Sequence, residues 1–513
     1  MVVAPFELTL FPYTAAADLI PINNTVAVPT GAFGSPFPSV VNNGTIDMLA
    51  GADSIEAVID GTVTATDFPR IIGLENRGQT FTSEGRDLVS GFADLSGNPT
   101  ARYEVAGIDG RDLGFIDTGP GADDIVGTAL GAGGENVTVE GIHAVEIDTG
   151  PGRDDVRGEA HGQSGSLNGT VEAHGLADVM LDTGTGRDSV VGEATATIDT
   201  TVFATVTGID SSEIDTGNGR DVVEGNARVD GEIASGMGIS AGLDTVTVTT
   251  GNGRDEVSGT LSATFDQNAV ISDVWGIVDS DLDTGSGRDS VRATVRLDLG
   301  EGASTEFVDA LLGGTVDMGT GQDSLVAMAV VSSPSGGDLD LVTGISGTDI
   351  DMGDGRDRLE ASADVEGAGH FSAFGIGIDD AKIDMGAARD VVIAMGADQA
   401  VGGSSVGIRG GSIDLGSGAD RLIASGATAG LEDAEIFGGT GNDVFDVQSG
   451  SGLVDGGDGL DQLILDGSSG DFAFTDTGGG NGTITGGGNN LNVASIEEFS
   501  LSDGFFTFTD LFI

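Results

Sequence analysis

An aspartate returns along this chain at a nearly fixed interval. Its copies are Asp53, Asp87, Asp123, Asp154, Asp188, Asp221, Asp255, Asp289, Asp323, Asp357, Asp390, Asp420, Asp443 and Asp461. The intervals are 34, 36, 31, 34, 33, 34, 34, 34, 34, 33, 30, 23 and 18 residues. Fourteen copies near one period define a repeat array. Such an array has no single central core, so a length of 513 residues does not count domains here. Helical repeats share this period, and the residues inside each unit separate the two classes. Gly, Thr, Val and Asp fill the units, with one lysine in the whole chain and no Leu heptad, which favours strands.

Each unit divides in the same way. Two residues after the aspartate stands an apolar residue: Ile55, Val89, Ile125, Val156, Val190, Val223, Val257, Val291, Leu325, Leu359, Val392, Leu422, Phe445 and Leu463. A strand pattern follows, as in residues 190–198, then a variable loop or second strand. A Gly-apolar pair comes next, as in Gly141-Ile142, Gly175-Leu176, Gly208-Ile209 and Gly377-Ile378, and reads as a corner. A short strand then enters a D-x-G-x-G-x-D turn. Two corners and about three strands per period predict an all-β, right-handed parallel β-solenoid, with like residues stacked about 4.8 Å apart. Its coils of about 34 residues shorten to an 18-residue coil near the C-terminus.

The turn sets carboxylates on either side of a glycine-rich backbone, and calcium takes roughly six to eight such oxygens. The expected ligand turns are Asp117, Gly119, Gly121 and Asp123; Asp148, Gly150, Gly152 and Asp154; Asp182, Gly184, Gly186 and Asp188; and Asp215, Gly217, Gly219 and Asp221. Asp255 stands without a first aspartate. Asp283, Gly285, Gly287 and Asp289 follow, then the pairs Asp317 and Asp323, Asp351 and Asp357, Asp384 and Asp390, and Asp414 and Asp420. The last turns are Gly438, Gly439, Gly441 and Asp443, and Asp455, Gly456, Gly457, Gly459 and Asp461. Carboxylates stacked at this spacing repel by about 0.9 kcal/mol per pair even in water, so a column of them needs neutralising. Calcium ions between successive turns would do so. A rival neutraliser is the arginine preceding the aspartate at 86, 153, 187, 220, 254, 288, 356 and 389.

Residues 436–464 resemble the RTX (repeats-in-toxin) calcium-binding family, whose copies read G-G-x-G-x-D-x-U-x. The matching copies are Gly438-Gly439-Thr440-Gly441-Asn442-Asp443 and Gly456-Gly457-Asp458-Gly459-Leu460-Asp461. Earlier copies replace the first glycine with residues such as Thr118, Met318 or Leu415. The resemblance implies a β-roll, calcium-triggered folding outside the cell, and type I secretion through an uncleaved C-terminal signal. The ending Asp510-Leu511-Phe512-Ile513 is similar to the acidic-then-apolar ends of such proteins.

Four segments result. Residues 1–44 are rich in proline, which argues against a central strand and for an extended arm or cap. Residues 45–435 are the long-coil solenoid, 436–466 the RTX-type turns, and 467–513 a C-terminal cap and candidate secretion signal. A formal net charge of −63 repels nucleic acid and anionic lipid. With no cysteine there is no disulfide or thiolate site. The N-terminus lacks a Sec-type signal, and no run of about 18 apolar residues would span a membrane.

No H-E-x-x-H occurs, and His143, His161, His174 and His370 are scattered. G-x-S-x-G occurs at 238–242 and 403–407, but both run into the Gly-apolar pair rather than a strand-to-helix elbow. A non-enzymatic role is expected: a secreted, calcium-binding structural protein of a bacterial surface, as a surface-layer, sheath or filament subunit. Self-association, end to end or in a lattice, through the N-terminal arm and C-terminal tail is the expected partnership, with cell-surface polysaccharide as a second candidate. The alternatives are an adhesin or matrix-binding module, and a β-helix polysaccharide lyase or epimerase.

Overall fold

The computed structural model describes residues 6–8, 19–28, 36–42, 45–48, 51–63, 70–97, 102–164, 169–198, 203–231, 236–237, 240–267, 269–333, 339–367, 374–398 and 404–512. They form a β-solenoid of about 12 turns, as the repeat predicts. The chain divides into two compact units, residues 1–281 with 298–304, and residues 282–297 with 305–513.

In the first unit one coil shows the plan. Ser189–Ile198 is a long strand whose residues alternate between half-exposed and buried. Phe203–Asp210 and Glu213–Asp215 form the opposing face, and Asn218–Gly219 bridges the turn. Every strand pairs in parallel with its counterpart one period away, so Val156, Val190 and Val223 stack in register. The column from Val89 through Ile125, Val156, Val190 and Val223 to Val257 is fully buried. Each such side chain contributes about 1.5–3 kcal/mol of burial, repeated along the axis.

The Gly-apolar pair differs from its expected role. It lies within the second strand, where that strand presses against the long one. A Cβ on Gly158 would sit 2.1 Å from the Gly175 carbonyl oxygen, so these glycines let the two faces close. The real corner comes three residues later, at Ala144, Asp178, Ser211 and Thr245, all with φ between 48° and 55°. None of these four is a glycine, so in these coils the glycine pattern points three residues too early; Gly347 and Gly410 hold the equivalent place in the second unit.

The proline-rich N-terminus also differs. Leu19–Val28 pairs with Ser54–Val63, and Pro36–Asn42 with Arg70–Asn76, so these described residues form coil strands where the prolines argued for an extended arm or cap. Phe6–Leu8 pairs with Val40–Asn42.

In the second unit the long strands shorten in order: Ser324–Ser332, Arg358–Glu366, Val391–Asp398, Arg421–Gly426, Val444–Val447 and Gln462–Leu465. The buried column Leu325, Leu359, Val392, Leu422, Phe445, Leu463 continues into Phe499 of the tail. The tail lies over the last coil on both faces. Asn489–Ala494, reached through an antiparallel hairpin from Asn481–Gly486, pairs with Gly450–Asp455; Glu498–Leu501 pairs with Gln462–Leu465 and then turns back as an antiparallel hairpin with Gly504–Thr507. Phe512 stacks on Phe508 at 4.2 Å and packs against Phe474 and Phe499. Among the described residues no helix is long and apolar enough to cross a membrane.

Candidate metal-binding turns

The two aspartates of each turn have different roles. The first faces outward and closes a local turn on its own backbone. The Gly184, Gly217, Gly319, Gly353 and Gly416 N–H groups donate to Oδ1 of Asp182, Asp215, Asp317, Asp351 and Asp414 at 2.9–3.0 Å. Asp148, Asp283, Asp384 and Asp455 accept from Gly150, Gly285, Gly386 and Gly457 in the same way, and Asp117 accepts from Gly119. The accepting turn needs the left-handed conformation that these glycines supply, with φ of 70–85°.

The second glycine has another task. A Cβ on Gly219 would lie 1.9 Å from the Gly186 carbonyl oxygen, and one on Gly459 1.5 Å from that of Gly441. Coils cannot stack at strand spacing with a side chain there. Ala388 is the exception among the described turns, and its backbone sits at φ 101°.

The last aspartate faces inward, at most 2% exposed in every copy. Its Oδ1 accepts the backbone N–H of the same aspartate one coil earlier. In the first unit the chain of bonds runs Asp53 to Asp87, Asp123, Asp154, Asp188, Asp221 and Asp255 at 2.8–2.9 Å. In the second it runs Asp289 to Asp323, Asp357, Asp390, Asp420, Asp443 and Asp461 at 2.7–2.8 Å. Glu497 Oε2 accepts the Asp461 N–H and ends the ladder. The repeat thus brings all fourteen of its recurring aspartates into two columns, one in each unit.

The other oxygen is buried in both units. A buried threonine stands five residues before each aspartate from Asp87 to Asp289, and Thr149 donates to Oδ2 of Asp154 at 3.1 Å. From Asp323 on, Met318, Met352, Met385, Leu415, Gly438 and Gly456 hold that place and offer no side-chain hydroxyl. Oδ2 of Asp323, Asp357, Asp390, Asp420, Asp443 and Asp461 is buried without a hydrogen-bond partner, as it is in Asp87, Asp123, Asp188 and Asp221 of the first unit. Burial raises these carboxyls above the usual carboxylate range. It pushes Asp154 and Asp357 up to about 7, and Asp123, Asp188, Asp255, Asp390, Asp420, Asp443 and Asp461 up to about 6, against the donated backbone N–H, which lowers them.

The arginine ladder does not form. All eight arginines that precede an inward aspartate are exposed, and among the described residues none pairs with that aspartate. Adjacent residues of an extended segment point to opposite sides, so Asp turned inward sends Arg outward.

Stacking also creates a polar cluster that the linear sequence hides. Asp109 aligns with His143, and Glu140 with His174. Arg111 Nε donates to His143 Nδ1 at 2.9 Å, and its Nη2 lies 3.0 Å from Glu140. Burial pushes Glu140 up to about 7, while Asp109, buried but held by His143, Arg70 and Arg111, stays below its ordinary value. The signal was the period itself, since Asp109 and His143 follow equivalent Gly-Ile pairs. His370, Gly238 and Gly403 lie outside the described residues. Among those described, no three or more His, Cys, Asp or Glu converge as a ready metal group.

Comparison with known proteins finds no matching family model, no matching curated protein and no matching solved structure. The likeness of residues 436–464 to RTX repeats therefore rests on the motif alone.

Proposed function

We propose that this chain is a non-enzymatic structural repeat protein of a bacterial surface, exported by the type I route and stiffened when calcium loads its inward aspartate columns. The observation that carries this is the row of buried Oδ2 atoms without partners, from Asp323 to Asp461. A buried carboxyl in that state must take up a proton or a cation. The turn presents oxygen donors only, with no thiolate or imidazole in the column, which suits a hard dication. Asp357, Asp390, Asp420, Asp443 and Asp461 would hold such ions together with turn carbonyls. The bound ion would supply positive charge to a column that otherwise repels itself. On this reading subunits join into a layer, sheath or filament through the terminal segments.

The test is calcium titration of chelator-treated full-length protein, followed by calorimetry and far-UV circular dichroism in parallel. The expected result is roughly one ion per coil, with a cooperative gain in melting temperature. Saturation at one or two ions would confine calcium to residues 436–464, and no uptake would overturn the proposal. Light scattering and electron microscopy at millimolar calcium test the assembly step separately.

A further inference from the structure

The arginines excluded from the aspartate column make a second surface. The bridges Gly85–Gly121–Gly152–Gly186, continued by Gly219, place Arg86, Arg153, Arg187 and Arg220 in one file in the first unit, interrupted only by Ala122. They line a cleft of about 600 Å³ together with Asp124, Asp155 and Ser189 and with the buried Asp154 and Asp188 of the aspartate column. Asp124, Asp155 and Ser189 are themselves stacked in register on successive long strands.

Two facts make this file unusual. The chain has only 20 basic residues against 83 acidic ones, yet four of them share this cleft. Arg86 reaches Asp124 at 3.3 Å, but among the described residues Arg153, Arg187 and Arg220 have no ion-pair partner. Several other arginines of the unit are engaged: Arg70 with Glu104, Arg111 with Glu140, Arg157 with Glu193, Arg228 with Asp230; Arg254, next in the file after Arg220, has no ion pair among the described residues. Arginines held close together at coil spacing repel one another, and a ligand with anions at a similar spacing relieves this.

The geometry points to this cleft as a binding site for a linear acidic polysaccharide, its uronate carboxylates seated on Arg153, Arg187 and Arg220. Guanidinium forks match carboxylates. Asp124, Asp155 and Ser189 face them as acceptors for sugar hydroxyls. None of the lining residues is aromatic, so a single-stranded nucleic acid would find no stacking platform. Asp154 and Asp188 of the aspartate column also border the cleft, so binding is compared with calcium and with chelator.

The experiment uses full-length protein and short oligouronates, which do not gel with calcium, with neutral oligoglucans and a single-stranded oligonucleotide alongside. Binding is read by calorimetry over a range of salt, with calcium and with chelator. Oligouronate binding that weakens with salt is expected. The triple variant Arg153→Ala, Arg187→Ala, Arg220→Ala should weaken it at least about tenfold, with unchanged circular dichroism. Arg228→Ala, six residues along the strand from the cleft's Val222 and outside the cleft lining, should leave it unchanged. Equal binding by the triple variant, or none by the parent, overturns the proposal. Binding that vanishes in chelator but survives the triple variant assigns it to bridging calcium and also overturns it. An oligonucleotide bound as tightly as the oligouronate overturns the ligand class.

Discussion

The backbone N–H of Asp357 donates to Oδ1 of Asp390, 33 residues later, at 2.8 Å. The same bond recurs from coil to coil, so each inward aspartate is first a structural acceptor that fixes the spacing of two turns. Only its other oxygen is left for a proton or an ion.

These two tasks separate by mutation. Asp390→Ala strands the buried Asp357 N–H and should cost about 2 kcal/mol in chelator. Asp390→Asn keeps an acceptor and should cost less than half as much, while lowering the calcium stoichiometry. Denaturant unfolding and calorimetry on both variants check this.

Stability without divalent cations should fall as pH rises. The folded-state values of Asp154 and Asp357 are raised to about 7 and those of Asp390 and Asp443 to about 6, from 3.8. Between those limits the folded chain binds more protons than the unfolded chain. Their contribution is full below the unfolded value and is lost as pH rises through about 6 to 7. The melting temperature in chelator should be higher at pH 5 than at pH 8, and saturating calcium should reverse the order, because the ion needs the deprotonated carboxylate.

Ala388→Gly should stabilise the protein by about 1 kcal/mol. Ala388 occupies a left-handed backbone at φ 101° where its neighbouring coils have glycine. Thermal unfolding of the variant beside the parent measures it.

Gly219→Ala tests the opposite case. Its methyl would meet the Gly186 carbonyl oxygen, which is backbone and cannot turn aside. A loss of about 3 kcal/mol is expected, seen as early melting and raised hydrogen exchange in the flanking coils.

Phe512→Ala removes a ring that is 5% exposed and packs against Phe474, Phe499 and Phe508. About 3 kcal/mol should be lost, and proteolysis should then open the tail before the coils. Tail opening no faster than in the parent would show that the aromatic cluster does not hold the last coil.

The sequence by itself determined the coil. A 34-residue period, an apolar residue two places after each aspartate, and glycines at fixed offsets admit little but stacked parallel strands. A one-residue slip would turn each core column to solvent. The sequence also put the inward aspartates, from Asp53 to Asp461, at equivalent places. It misplaced the second corner by three residues, because Asp178, Ser211 and Thr245 take a glycine-like conformation without being glycine. It read the prolines at 36 and 38 as barring a strand, yet Pro36–Asn42 pairs with Arg70–Asn76, a pairing set by coil register rather than by local propensity. Only the tertiary structure decided which way each turn residue points. Asp went inward to its neighbour's N–H and Arg outward into the cleft. Residues 31 to 36 apart became direct neighbours, joining Asp109 to His143 and Arg153 to Arg187. Those contacts depend on coil register, a long-range property that no local stretch of the chain contains.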